Sequence, residues 1–180
     1  MSLPRTPSQT VGPYLAIAMR WTDGAFVVPE GTQGAFWIRG RLLDGAGEAV
    51  DDGVIETWQP DPDGRFPTQP DAAPFRGYGR SPTDANGEWG LLTLKPGRIA
   101  DAGGASAAPY LSAAIFARGL LKPAWTRIYF GDESDANDAD SVLASVPAER
   151  RHTLIAAPAD DGYRLDIRLQ GPDETVFFDV

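Results

Sequence analysis

The chain has 180 residues, and 16 Lys and Arg against 25 Asp and Glu give it a formal charge of −9. This balance argues against nucleic acid and anionic membrane surfaces as partners, because both are bound mainly through clustered Lys and Arg. The sequence has no cysteine and a single histidine, His152, which excludes disulfides, thiolate metal sites and any site that takes two imidazoles from this chain.

The composition favours a particular class of fold. With 20 glycines and 16 prolines, the chain is suited to short strands joined by many turns rather than to a helical bundle. The first residues lack the basic segment and apolar run of a secretory signal, and no apolar run reaches the length of a membrane span. We therefore expect a soluble cytoplasmic protein.

In chain order, the first half of the sequence predicts an arm followed by strands and loops. Residues 1–14 are rich in Pro, Ser and Thr and are predicted to be an extended arm, and residues 15–34 are predicted to be loop with a little strand. Strands are predicted at 35–43 and 54–58, and the Asp-Gly-Ala-Gly sequence after the first of them is typical of a hairpin turn. Residues 66–86 show no periodicity and are predicted to be a long loop.

The second half predicts more strands and one helix. Strands are predicted at 88–94, 110–117 and 125–130. Residues 163–170 are apolar at every second position, which predicts a half-buried strand. The helix is predicted over 140–152, with Asp140 or Ser141 as its N-cap.

These elements predict an all-β fold. At least six closely spaced strands, with no repeat of fixed period, indicate a single domain built as an antiparallel β-sandwich with long loops and one short helix. In this prediction the arm at 1–14 lies outside the sandwich formed by 15–180.

Few polar residues form a pattern typical of catalysis. His152 lies among Glu and Arg residues, as expected for a solvated helix end rather than for a nucleophilic triad. The acidic pairs Asp51-Asp52 and Asp160-Asp161 adjoin glycines, as expected in turns. We therefore predict no catalytic residue in this chain.

Aromatic residues and one arginine are the more informative candidates for binding. Arg127 lies in an otherwise apolar and aromatic strand, so its guanidinium needs a carboxylate partner, supplied either by a protein side chain or by a ligand. Eight aromatic residues could line a pocket for a flat ligand, although most of them are expected in the core. They are Tyr14, Trp58, Phe66, Phe75, Tyr78, Trp89, Tyr110 and Trp125.

Seven segments, in this order along the chain, together resemble the intradiol ring-cleavage dioxygenases from about residue 6 to the C-terminus. They are Thr-Pro-Ser-Gln-Thr-Val-Gly-Pro-Tyr at 6–14, Glu-Thr-Trp-Gln-Pro-Asp at 56–61, Arg-Ser-Pro-Thr-Asp at 80–84 with Gly87, Leu-Lys-Pro-Gly at 94–97, Phe-Ala-Arg-Gly-Leu at 116–120, Thr-Arg-Ile-Tyr-Phe at 126–130 and Leu-Asp-Ile-Arg-Leu-Gln-Gly at 165–171. The resemblance implies the β-sandwich of that family.

The resemblance also implies that this chain holds no metal. Catalytic chains of the family bind a non-haem ferric iron through two tyrosines and two histidines, and the matching positions here are Phe66, Ile99, Tyr110 and Ser112. Phe66 and Ile99 offer no donor atom, and Tyr110 with a neutral Ser112 is a poor set for a ferric ion. The implied cofactor, Fe(III), therefore belongs to a partner chain.

By the same resemblance, this chain is a non-catalytic, alpha-type subunit. It is implied to pair with an iron-bearing, beta-type subunit of the same fold in a larger symmetric oligomer. Its arm is implied to bring Gly12, Pro13 and Tyr14 to the substrate entrance, since glycine permits close approach and proline stiffens the backbone. Arg127 is implied to bind the carboxylate of a small aromatic acid, either at the partner's iron site or in a vestigial pocket of this chain.

Two other interpretations stay open on the residues alone. A stand-alone β-sandwich module for an aromatic or carbohydrate ligand would use the aromatic residues of 66–86 and would need no partner. A carboxylate-based hydrolase is suggested only by the acidic composition.

Overall fold

The computed structural model describes residues 6–10, 12, 14–18, 21–69, 74–100 and 106–179. The strands are β1 (Phe36–Leu43), β2 (Val54–Trp58), β3 (Tyr78–Pro82), β4 (Glu88–Thr93), β5 (Ile99–Ala100), β6 (Ser106–Ala107), β7 (Tyr110–Phe116), β8 (Ala124–Phe130), β9 (Ile155–Ala159), β10 (Gly162–Arg164) and β11 (Ile167–Arg168). The helices are α1 (Tyr14–Ala18), α2 (Ser134–Ala139), α3 (Ser141–Ser145) and a 3₁₀ helix (Ala148–Leu154). Within these ranges, no helix is both long and apolar enough to cross a membrane.

One large sheet organises the molecule. Its strands follow the order β11-β1-β10-β9-β8-β7-β2-β3, and β4 pairs with β1 as well. The all-β class is confirmed, but the sheet is mixed rather than antiparallel: β10 and β11 run parallel to β1, and β9 runs parallel to β8. Parallel neighbours need a long crossover, and the segment holding α2, α3 and the 3₁₀ helix supplies it between β8 and β9.

The main core contains side chains from strands throughout the order of this sheet. Ile38 and Leu42 of β1 pack there with Ile55 of β2, and both Ile115 of β7 and Ile128 of β8 join them, all essentially without solvent exposure. Side chains alternate between the two faces of a strand, so the residues between these core positions point away from the core. The outward face of β2, β7 and β8 is thereby left free for other side chains.

The predicted turn after β1 is present, but the strands on either side of it do not pair with each other. The turn itself forms, since the Asp44 amide donates to the Glu48 carbonyl at 2.9 Å, and Leu43 makes a single bridge with Ala49. β1, however, pairs antiparallel with β4, and β2 pairs with β3 and β7. A turn sequence specifies the reversal of the chain but not how far the pairing continues.

The predicted strand at 163–170 is interrupted. Tyr163, Leu165 and Ile167 are buried in alternation as predicted, yet pairing with β1 breaks between β10 and β11. The break lies opposite Gly40, where an added Cβ atom would lie within 2 Å of the Leu165 carbonyl oxygen. The close backbone approach at Gly40 explains why one periodic segment forms two short strands.

Other differences concern segments with weak patterns. The predicted loop at 66–86 contains β3, while α1, α2 and β9 were not predicted. The helix predicted over 140–152 is divided into α3 and the 3₁₀ helix, with Pro147 as the N-terminal cap residue of the second. Asp140 is the N-cap of α3 as predicted, and its side chain accepts from the amides of Val142 and Leu143.

We predict that Gly40→Ala lowers the free energy of unfolding by about 3 kcal/mol, because the new methyl group would overlap the backbone of Leu165. Urea unfolding followed by circular dichroism measures the change. Gly31→Ala is the control, since Gly31 has φ +79° but no atom within 4 Å of an added Cβ, and it should cost only about 1 kcal/mol. Equal losses in the two variants would contradict the assignment.

Candidate functional site

The outward face of β2, β7 and β8 brings together several of the residues singled out from the sequence. Ser112 of β7 lies directly opposite Trp58 of β2 and Arg127 of β8. Tyr110, two residues earlier on β7, lies opposite Tyr129. Directly opposed residues point to the same side of a sheet, so these five side chains form one surface, which we call the outer-face site.

Phe66 borders this surface. The Phe66 ring stacks on Trp58 with a centroid separation of 6.0 Å and an interplanar angle of 12°. Ile99 lies in β5, which pairs with β6 and not with the large sheet. Of the four positions that the resemblance matches to iron ligands, Tyr110 and Ser112 therefore lie on the outer-face site and Phe66 lies beside it.

Arg127 occupies the centre of this site. Its guanidinium carbon lies 4.1 Å from the centroid of the Tyr110 ring, a cation–π contact, and its Nη1 atom donates to the Tyr129 hydroxyl at 3.3 Å. Within the described residues, Arg127 makes no ion pair with a carboxylate. A half-buried guanidinium without such a partner can pair with the carboxylate of a ligand.

The charge of Arg127 is coupled to a buried carboxylate through one hydroxyl group. Tyr129 is fully buried and donates to Asp140 Oδ1 at 3.1 Å. Burial raises the pKa of Tyr129 above its ordinary value and the charge of Asp140 acts in the same direction, while Arg127 opposes the shift. Tyr129 therefore stays protonated and joins Arg127 to Asp140.

Asp140 in turn holds three segments together. Besides Tyr129, it accepts from the amides of Val142 and Leu143 through Oδ1 and from the amide of Ala108 through Oδ2, at 2.8 to 3.0 Å. Its side chain is only 1% exposed. The carboxylate therefore connects β8, the start of α3 and the segment before β7.

The outer-face site does not suit an iron ion. Two of the four positions, Phe66 and Ile99, have hydrocarbon side chains, and the Arg127 guanidinium lies against Tyr110 and opposite Ser112. A positive charge beside the two remaining oxygen atoms disfavours a ferric cation there. No group of three or more His, Asp or Glu side chains suited to a metal occurs in the described part of the chain.

A cavity of about 290 Å³ opens beside Arg127. Its wall is formed by Ser112, Trp125, Thr126, Arg127, Val142 and Phe178. The expectation that most of the eight aromatic candidates lie in the core is wrong: only Trp89 is buried, three are exposed and the other four are partly buried. Trp125 is 40% exposed and Trp58 is 36% exposed. The site thus combines flat apolar surface with one cationic group, which suits a small aromatic acid.

Of the three arm residues singled out from the sequence, the structure describes Gly12 and Tyr14. Gly12 has φ +57° and no atom within 4 Å of an added Cβ, so its backbone conformation, rather than crowding within this chain, is what favours glycine. Tyr14 is 64% exposed at the start of α1. Pro13 lies outside the described residues. The role predicted for these three residues at a substrate entrance stays a prediction.

Two residues of the site were not assigned a role from the sequence. Tyr129 lies two positions after Arg127, and the period of a strand places both on one face, so the spacing could have revealed it. Asp140 was predicted only as a helix cap. Its contact with Tyr129 spans eleven residues and a change of direction, and no local pattern indicates it.

Comparisons with known proteins agree with the resemblance that the seven sequence segments indicate. A family model described as a dioxygenase matches residues 27–171. The chain belongs to this dioxygenase family. The dioxygenase domain of a carbohydrate-binding fusion protein from Streptomyces sp. SirexAA-E has the same fold, with a TM-score of 0.62 at 23% identity over 93% of this chain and 99% of that one.

Two curated relatives carry names of protein subunits. The chain is 42% identical to the protocatechuate 3,4-dioxygenase alpha chain of Burkholderia cepacia, over 99% of both chains. It is 32% identical to the protocatechuate 3,4-dioxygenase beta chain of the same organism, over 77% of this chain and 65% of that one. Sequence similarity to the alpha chain thus extends over the full length, whereas similarity to the beta chain covers part of it.

We predict that Asp140→Ala lowers the free energy of unfolding by about 3 kcal/mol, because it leaves several buried donors without an acceptor. Thermal and urea unfolding measure the loss. Asp138→Ala is the matched control: this residue is exposed on α2, and its removal should change stability by no more than about 0.5 kcal/mol. Similar values for the two variants would rule out Asp140 as the connecting residue.

Proposed function

We propose that this chain is the non-catalytic alpha subunit of a protocatechuate 3,4-dioxygenase. Its partner is an iron-bearing beta subunit that cleaves 3,4-dihydroxybenzoate with O₂ to 3-carboxy-cis,cis-muconate. In this assignment the chain acts in the cytoplasm, stabilises a larger alpha–beta oligomer and shapes the substrate entrance, while Fe(III) is held by the beta subunit.

One observation supports the proposal: the positions that the resemblance matches to iron ligands and that lie on or beside the outer-face site, Tyr110, Ser112 and Phe66, do not form a donor set for a ferric ion. The hydrocarbon of Phe66 stacks on Trp58, and the Arg127 cation lies against Tyr110. The full-length similarity to an alpha chain, with shorter similarity to a beta chain, supports the same assignment.

Arg127 and the arm are the residues we assign to substrate. The carboxylate of protocatechuate supplies the partner that the Arg127 guanidinium lacks among the described carboxylates, and the Tyr110 and Trp58 rings offer flat surfaces beside it. Gly12, Pro13 and Tyr14 are assigned to the entrance of the partner's site, and the 64% exposure of Tyr14 in this chain leaves its ring available for that contact.

Co-expression of this chain with a beta chain encoded in the genome from which it comes tests the proposed function. We predict that the two chains purify together by size exclusion, that iron is found in the complex and that oxygen uptake requires protocatechuate. The chain expressed alone should contain no iron and show no uptake. Iron and turnover in the isolated chain would refute the proposal. A monomer that ignores the beta chain and still binds aromatic ligands would instead support a stand-alone binding module.

We predict that Arg127→Ala raises the KM of the complex for protocatechuate at least tenfold, because a charge-assisted hydrogen bond to a carboxylate contributes about 1.5–3 kcal/mol. Assembly should be unchanged. Arg164→Ala, on the exposed side of β10, is the control and should leave KM unaltered. Turnover of catechol, which lacks the carboxylate, should respond far less to Arg127→Ala. Unchanged kinetics with failed assembly would make Arg127 an interface residue.

A further inference from the structure

We propose that four residues form a clamp, which we call the Trp21 clamp: Trp21, Arg76, Tyr78 and Arg80. The clamp attaches the turn over residues 21–26, which follows the N-terminal arm and α1 in the chain, to the sheet. Trp21 and Arg76 are thereby positioning residues for the substrate entrance. The effect on the entrance rests on the proposed function of the arm, whereas the ordering of the arm concerns this chain alone.

The Trp21 ring is held on several sides although it is 46% exposed. The guanidinium carbons of Arg76 and Arg80 lie 5.7 Å and 5.3 Å from its centroid, and the Tyr78 ring lies at 5.6 Å with an interplanar angle of 51°. Two cations against one indole, together with an aromatic neighbour, hold the side chain in place.

Arg76 also binds the backbone that follows Trp21. Its Nη1 atom donates to the Asp23 carbonyl at 3.0 Å, to Asp23 Oδ2 at 3.1 Å and to the Phe26 carbonyl at 3.2 Å. A single guanidinium thus links the Trp21 ring to the turn over residues 21–26. That turn is closed by the Gly24 amide, which donates to the Trp21 carbonyl at 3.3 Å.

The sheet side of the clamp is rigid. Arg80 is 5% exposed, and its Nη2 atom lies 3.1 Å from Glu56 Oε1 on the neighbouring strand. The Arg80 amide donates to the Gly24 carbonyl at 2.7 Å, and an added Cβ on Gly24 would lie 2.5 Å from the Arg80 carbonyl oxygen. The turn is therefore attached to β3 through both side chains and backbone.

A second attachment lies at Thr10, within the arm. The Thr10 hydroxyl accepts from the Gly119 amide at 3.2 Å, in the loop between β7 and β8, and from the Gly12 amide at 3.1 Å. Thr10 and Trp21, which precede and follow α1 in the chain, are therefore each attached to the fold. Tyr14 and Ile17, both on α1, are exposed at 64% and 75%.

A segment fixed at two points presents its exposed side chains in a defined direction, which lowers the entropy lost when they dock. Loss of the clamp removes the attachment at Trp21 and leaves the one at Thr10. The sheet, whose core does not include Trp21, keeps its packing.

Hydrogen exchange on the full-length chain tests the clamp itself. Arg76→Gln removes the cation and most of the donors, and amides of residues 6–20 should exchange at least fivefold faster while those of β2, β7 and β8 are unchanged. Arg41→Gln is the matched control, since Arg41 is an exposed arginine paired with Asp166 far along the chain, and it should leave the arm unchanged. Unaltered exchange in the arm, or equal acceleration in the sheet, would overturn the proposal.

Kinetics of the alpha–beta complex test its consequence. Arg76→Gln and Trp21→Ala should raise the KM for protocatechuate about fivefold while kcat and iron content stay within twofold, and Arg76→Lys, which keeps a donor for Asp23, should recover part of the loss. A looser arm with an unchanged KM would overturn the positioning role. A wild-type complex without turnover would refute the proposed function instead, and exchange on the isolated chain would then decide the clamp alone.

Discussion

The buried carboxylate of Asp140 is the constraint on which much of the molecule depends. It fixes the start of α3, the segment before β7 and the Tyr129 hydroxyl on β8 at once. Because the crossover from β8 to β9 passes through α3, this carboxylate also anchors the connection that makes the sheet mixed. The cost of burying a charge is offset here by several hydrogen bonds that converge on two oxygen atoms.

The outer-face site depends on strand register. The cross-strand pairs of β2, β7 and β8 bring Trp58, Ser112 and Arg127 into one row, with Tyr110 and Tyr129 beside it. A stacked Phe66 and Trp58 and the Arg127 cation now occupy that surface. Hydrogen bonding through Tyr129 to Asp140 gives the cation partial compensation within the protein, which lowers the cost of keeping it half-buried.

Local patterns were sufficient to predict the strands rich in apolar and β-branched residues, β1, β2, β4, β7 and β8, and the Asp140 cap, since both depend on neighbouring residues. The pairing of strands was not predictable in the same way. A turn after β1 predicted β2 as its partner, but β4 takes that place. Close backbone approach at Gly40 divided the strand at 163–170, and only the distant Leu165 carbonyl explains that break. Sequence reasoning singled out four residues that the structure brings together on the outer face, Trp58, Tyr110, Ser112 and Arg127. The hydrogen bond from Tyr129 to Asp140 and the contacts of Trp21 join residues too far apart in sequence to form a local pattern.

The sequence by itself determined which donor atoms this chain cannot supply: with one histidine and no cysteine, it offers a metal ion neither two imidazoles nor a thiolate, whatever the fold. Only the tertiary structure decided which side chains meet on the outer face. Arg127, Tyr110 and Asp140 become neighbours because β7 and β8 pair in one register and α3 returns to them, and such contacts depend on long-range packing that residue types alone do not specify.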